Sequence, residues 1–101
     1  MLVQVSLFPL DKGASVSKYV AEAVDVIDKS GLDYRLTAMG TLIEGDWDPI
    51  MKVLKKMREK MIKRSERVYM TIAIDDRKDR RRRLEAKVKA VEDVLGKTLR
   101  K

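Results

Sequence analysis

The chain contains no cysteine and no histidine. The first absence excludes disulfides, thiolate metal ligands and a cysteine nucleophile. The second removes the imidazole general base and the commonest zinc ligand. No apolar run approaches the length of a membrane span, and the opening Met1-Leu2-Val3-Gln4 lacks the basic start of a signal peptide. Gly40 and Gly45 stand singly at turns, so no phosphate-cradling glycine loop can be drawn. These absences lead to the expectation of a soluble cytoplasmic protein without a cofactor or dedicated metal site.

What is present fits one domain, residues 1–101, with enough apolar residues (45%) for a modest core. Charged residues make up 39% of the chain, well above the usual quarter, as on many heat-adapted surfaces. The net charge of +7 is unevenly placed: eleven Lys/Arg and four Asp/Glu fall from Arg77 onward, while residues 1–76 hold twelve of each. The body of the chain is electrically balanced, which argues against the fold itself being a nucleic-acid binder.

Periodicity divides the chain cleanly. Val3, Val5 and Leu7 alternate with Gln4 and Ser6 in a first strand, ended by Pro9 and Asp11-Lys12-Gly13. Val16, Tyr19, Val20, Ala23, Val24 and Ile27 form the buried stripe of a helix, with Ser15 available as its cap and Ser30-Gly31 as its stop. Tyr34, Leu36 and Ala38 alternate with Arg35, Thr37 and Met39; Gly40 makes the reversal, and Thr41 to Glu44 form the third strand. Asp48-Pro49 then reads as a helix start, followed by the stripe Ile50, Val53, Leu54, Met57 and Met61. Val68, Met70, Ile72 and Ile74 mark a fourth strand closed by Asp75-Asp76, and a last helix spans about residues 79–96. The order βαββαβ predicts an α+β, ferredoxin-like sandwich with an additional C-terminal helix and sheet order 4-1-3-2.

In that sheet Val3, Val5, Leu7, Leu36, Ile72 and Ile74 form one apolar face for the two helices to cover. Gln4, Ser6, Arg35, Thr37, Tyr69 and Thr71 line the other, mixed with Leu2, Phe8, Met39 and Ala73. Such a half-apolar face suits either self-association, a small-ligand site or simple solvation. Leu84, Val88, Val91 and Leu95 make a narrow seam on the last helix, fit either for packing on its own domain or for subunit assembly.

The charged motifs have plain structural uses. Arg80 to Arg83 could hold phosphates, but no aromatic residues interleave with them and Asp75, Asp76 and Asp79 lie just upstream. A solvated helix start or an inter-subunit ion-pair cluster is the stronger expectation. Asp75, Asp76, Asp79 and Glu44 match no calcium-loop spacing. Asp46 and Asp48 suit helix capping, with Trp47 as a hydrophobic clamp on the helix start.

Several segments, taken in order, resemble one family. Ser17-Lys18-Tyr19-Val20-Ala21, Tyr34 through Glu44 with Met39-Gly40-Thr41 at its centre, Arg67-Val68-Tyr69, and Ile74-Asp75-Asp76-Arg77-Lys78-Asp79 are similar to the small YkoF-like thiamine-binding proteins. The resemblance covers nearly the whole chain. It implies the same βαββαβ fold with a C-terminal helix and homo-oligomers, dimers or tetramers, built through the sheets. It also implies binding of thiamine or its aminopyrimidine moiety, with no catalysis and hence no enzyme. Ala73 departs from the longer side chain expected there, and Ser65-Glu66 replaces a glycine-containing turn.

Thiamine presents an aminopyrimidine edge and a cationic thiazolium ring, so a site for it wants apolar or aromatic walls, hydroxyl or backbone partners and a carboxylate. Thr37, Met39, Gly40, Thr41 and Glu44 on the hairpin, Ser6 and Thr71 on neighbouring strands, and Tyr19 and Tyr34 supply those types. The alternative is a homo-oligomeric structural or regulatory interaction protein without a small ligand. Its sheet face and basic helix would then meet another macromolecule.

Overall fold

The computed structural model describes residues 1–78 and 83–101. Four strands, β1 (Leu2–Pro9), β2 (Asp33–Thr37), β3 (Gly40–Glu44) and β4 (Val68–Asp75), form one antiparallel sheet in the order β2-β3-β1-β4. That is the expected 4-1-3-2 order. Helices α1 (Ser17–Lys29) and α2 (Trp47–Ile62) follow β1 and β3, and α3 (Arg83–Leu95) follows β4.

Pairing fixes which side chains share a face. Val3 lies opposite Ile43 and Ile74, and Val5 opposite Thr41 and Ile72. Tyr34 and Leu36 extend the same rows onto β2. Here α1 and α2 supply Ala23, Ile27, Ile50, Val53, Leu54, Met57 and Met61 to a core with Val3, Val5, Leu7 and Ile43. The five-residue stripe expected of α2 is buried throughout. On α1 only Ala23 and Ile27 are fully buried.

Leu36, Ile72 and Ile74 sit on the helix side as expected, yet they are 63%, 43% and 43% exposed. They belong to the edge strands β2 and β4, which the two helices cover only in part, at Tyr34, Val68 and Met70. Edge position, not face, decides their exposure.

The helix starts differ from expectation. Val16, not Ser15, caps α1, and no side chain bonds to its first amides. In α2 the cap is Asp46, so Trp47 opens the helix and Asp48 and Pro49 fall inside its first turn. Trp47 is 56% exposed, so it does not clamp the helix start into the core. At the other end of α1, the Ser30 hydroxyl donates to the Ile27 carbonyl at 2.5 Å and Gly31 takes a positive φ of 79°, as the expected stop requires.

The opposite face carries Gln4, Leu42, Arg35 and Ala73 in one row and Ser6 and Thr71 in the next. One end of this face is covered by α3. Glu44 accepts hydrogen bonds from the Arg83 and Leu84 amides, and Arg35 pairs with Glu85 at 3.6 Å. Leu84 of the expected seam is buried and Val88 half-buried, whereas Val91 and Leu95 are more than half exposed. The expected start of this helix near Asp79, and Arg80 to Arg82 of the arginine run, lie outside the described residues. Arg83 is buried against Asp75 within the same chain.

Candidate functional site

A cleft of about 320 Å³ opens between the β2–β3 turn, the second half of β1 and the first half of α1. Its position follows from the hairpin. Thr37 pairs with Gly40 across a two-residue loop, Ala38-Met39. The Thr37 hydroxyl donates to the Gly40 carbonyl at 2.7 Å and accepts from the Met39 amide at 3.3 Å, so one side chain fixes the turn. Gly40 has φ +150°, and a Cβ there would stand 2.8 Å from the Val5 carbonyl oxygen. Only glycine lets the turn lie this close to β1.

Val16 at the cap of α1, and Val20 and Val24 within it, line the cleft together with the hairpin, with Val5 and Met57 among the remaining walls. Five of the residues expected from sequence line it: Ser6, Thr37, Met39, Gly40 and Thr41. Among the described residues the lining carries hydroxyls, backbone groups and thioethers and no charged side chain; the Thr37 hydroxyl is already engaged within the turn, and Ser6 stands on the strand face turned from the helices. Chemically it can seat a flat, weakly polar molecule and hydrogen-bond its edge. It offers no general base, no nucleophile activated by a neighbouring base and no counter-ion.

The other four expected residues lie elsewhere. Tyr19 has its ring near the Lys12 ammonium (6.0 Å) and the Arg64 guanidinium (5.6 Å), and Arg64 also pairs with Glu22. Tyr34 donates its hydroxyl to Asp28 at 2.6 Å, which pushes the phenol's pKa up. Thr71 is exposed on β4, paired with Ser6 across the strands. Glu44 lies beneath the start of α3, where its two carboxylate oxygens take the amides of Arg83 and Leu84. It serves there as a helix cap from a distant strand.

Around Glu44 the charges are interlocked. Asp75 accepts from the Arg83 guanidinium and from Lys87 at 3.0 Å, and these bonds hold its carboxyl at about 2. A second clamp joins two loops: the Ser65 hydroxyl reaches Asp11 at 2.5 Å and the Glu66 amide reaches the other Asp11 oxygen at 2.9 Å. These bonds pull the Asp11 carboxyl below the ordinary carboxylate range, Ser65 contributing most. Ser65 thus has a structural use in the turn where a glycine was expected.

Sequence reasoning did not single out Val16, Val20, Val24, Leu36, Phe8 or Ala38 as site residues. The first three were visible only as a helix stripe. Their four-residue step is equally that of core packing, and only the offset of α1 from the sheet turns that stripe into a cleft wall.

The thiamine-binding protein family model matches residues 3–92, nearly the whole chain. The chain belongs to this family. A UPF0045 protein of Methanocaldococcus jannaschii is 43% identical over 91 residues, covering 90% of this chain and 91% of the relative. A UPF0045 protein of Staphylococcus xylosus is 40% identical over 101 residues and covers 94% of each. Among solved structures, a hypothetical protein of M. jannaschii superposes with a TM-score of 0.85 at 42% identity, over 91% of this chain and 95% of that one. A Thermotoga maritima protein, provisionally described as a thiamine biosynthesis/salvage protein, shares the fold with a TM-score of 0.79 at 20% identity, covering 89% and 96%. For this thiamine-binding family member, the βαββαβ architecture with a C-terminal helix is therefore common to its solved relatives. No helix among the described residues is long and apolar enough to cross a membrane.

Proposed function

We propose that this family member binds a small molecule of the thiamine class without transforming it, and that the neutral aminopyrimidine moiety is the part held in the hairpin cleft. The observation that carries the proposal is the cleft's lining: apolar walls and hydroxyl-bearing residues, with no ionisable side chain among the described residues. An aminopyrimidine ring is flat, neutral near pH 7 and rich in edge donors and acceptors, and such a lining suits it. The thiazolium ring is cationic, and Glu44, the hairpin carboxylate expected from sequence as a ligand partner, is occupied by α3 instead. The thiazolium arm of a bound thiamine therefore projects toward solvent past Leu36 and Met39, the exposed residues at the rim. Family membership supports the ligand class; the absence of any acid–base pair in the lining supports binding over catalysis.

Calorimetric titration with thiamine and with the aminopyrimidine precursor tests this directly. The precursor is expected to bind at least as tightly as thiamine. Leu36→Asp, at an exposed position, puts water and charge into the mouth and is expected to weaken the precursor by about tenfold, the loss of roughly 1.5 kcal/mol of apolar contact. Clear preference for thiamine over its pyrimidine would refute the assignment of the cleft to the neutral ring. Binding of neither ligand leaves the second reading, an interaction protein. The exposure of Leu36, Met39, Tyr69, Val94 and Leu95 favours that reading independently.

A further inference from the structure

A second concavity lies on the outer surface of the helix pair, away from the hairpin cleft. It is a groove of about 580 Å³ between the C-terminal half of α1 and the body of α2. Val26, Leu32, Pro49 and Val53 contribute its apolar part, and Val53 is only 6% exposed, so the floor is recessed. Four lysines, Lys29, Lys52, Lys56 and Lys60, and Ser30 make up the rest of the lining, which contains no acidic side chain among the described residues. Lys29 is paired with Asp25 at 2.8 Å, and Lys60 lies close enough to Asp25 to help lower that carboxyl, after Lys29. Lys52 and Lys56 have no ion pair among the described residues.

Lys52, Lys56 and Lys60 step by four, so they stand on one side of α2 in a row about 12 Å long. Three charges so placed exceed what one small anion can meet. Their spacing matches acidic residues at every fourth position of another helix. The apolar floor beside the row matches the apolar stripe of that helix, and a third helix laid between two packed ones is an ordinary way of filling such a groove. A lipid surface fits less well, because its apolar phase is reached by residues that protrude, and here Val53 is buried and Val26 and Leu32 are half-buried. Nucleic acid fits less well too, since no aromatic ring lines the groove to stack a base.

We infer that the α1–α2 groove docks an acidic amphipathic helix of a partner protein, through Lys52, Lys56 and Lys60 over the Val26–Val53 floor. The thiamine-binding family match says nothing of such a partner, and the groove shares no lining residue with the hairpin cleft. Ligand occupancy of the cleft and helix docking in the groove are thus separable.

The probe is a fluorescein-labelled synthetic helix of about 16 residues, roughly four turns, with a leucine stripe and Glu at every fourth position. The controls are a peptide of identical composition in scrambled order, phosphatidylglycerol vesicles and duplex DNA. The ordered peptide is expected to bind the full-length protein about tenfold or more tightly than the scrambled one, with affinity falling as salt rises. Lys52→Glu/Lys56→Glu is expected to abolish that preference. Lys55→Glu/Lys63→Glu makes the same charge change outside the groove, on α2 and at the residue that follows it, and is expected to preserve it. All four lysines are exposed, and unchanged circular dichroism checks that the variants fold. Equal affinity for ordered and scrambled peptides overturns the inference, as does equal loss in the two charge-reversal variants. Vesicle or DNA binding that depends on Lys52 and Lys56, without peptide discrimination, overturns it in favour of those partners.

Discussion

At the residue scale, Gly40 and Glu44 bound the third strand, and neither acts through a long-range property. Gly40 combines a positive φ with contact against the β1 backbone. Gly40→Ala is therefore expected to cost about 1–3 kcal/mol through strain and displacement of the turn, read as a lowered midpoint in thermal or denaturant unfolding. An unchanged midpoint would show that the turn does not need glycine. For Glu44, a carboxylate four residues from Gly40 was readable as a ligand partner for a cation. The pairing of β3 instead turns its side chain to the face away from the cleft, under α3. Glu44→Gln is expected to cost about 0.5–2 kcal/mol as a weakened helix cap and to leave affinity for the aminopyrimidine precursor unchanged. A selective loss of thiamine affinity would return Glu44 to the binding site.

At the element scale, alternation made all four strands legible, because one face of β1 and β3 is buried and a period of two cannot slip without exposing it. The α2 stripe was equally plain, since five residues at helical spacing are all buried. Less legible were boundaries set by backbone geometry: Asp48-Pro49 looks like a helix start, yet α2 begins at Trp47 with Asp46 as its cap. Proline is tolerated throughout the first turn, so its position does not mark the first residue. Of the candidate cleft, five lining residues were legible in the sequence. The hairpin contributed its residues locally, while the α1 wall depends on how a helix lies across a sheet. Attachment of α3 was legible only in part: Asp75 stands just upstream of the arginine run it pairs with, and the seam was fit for packing on its own domain, but the bonds from the Arg83 and Leu84 amides to Glu44 span 39 and 40 residues and left no local signal.

That attachment has a pH signature. Asp75's carboxyl, ordinarily at 3.8, is held at about 2 by the bonds from Arg83 first and Lys87 second. A depressed carboxylate stabilises the fold fully above its ordinary value and loses that contribution as the pH falls through the folded one. Undocking of α3 is therefore expected as the pH drops from 3.8 toward 2, with Asp11 adding a loss of the same sign at its loop clamp. Helicity followed by circular dichroism should show an acid transition in this window. Asp75→Asn should weaken α3 docking at neutral pH and flatten the transition. Retention of the full transition in that variant would assign it to other carboxylates.

At the scale of the whole molecule, what stands out is surface left uncovered. Among the described residues strand β4 pairs with β1 alone; it runs for eight residues and contains neither proline nor lysine, the usual protections of a free edge. On α3, Val91, Val94 and Leu95 are 52%, 88% and 54% exposed. An apolar helix face and an unguarded edge on one small domain are both removed from water if copies associate, and we propose a homo-oligomer, dimer or tetramer, on that ground. Two variants separate the surfaces. Thr71→Lys places a charge on the exposed part of β4 and opposes edge pairing or stacking of the open face; Val94→Asp/Leu95→Asp breaks the helix patch without touching the core. Light scattering on the parent chain should give a multiple of 11.6 kDa. A fall to half that mass in one variant and to the monomer in the combination would describe a tetramer built on both surfaces. A fall to the monomer in a single variant would describe a dimer built on that surface. A parent chain that is monomeric at micromolar concentration would sink the proposal and leave the exposed residues to be met by other partners.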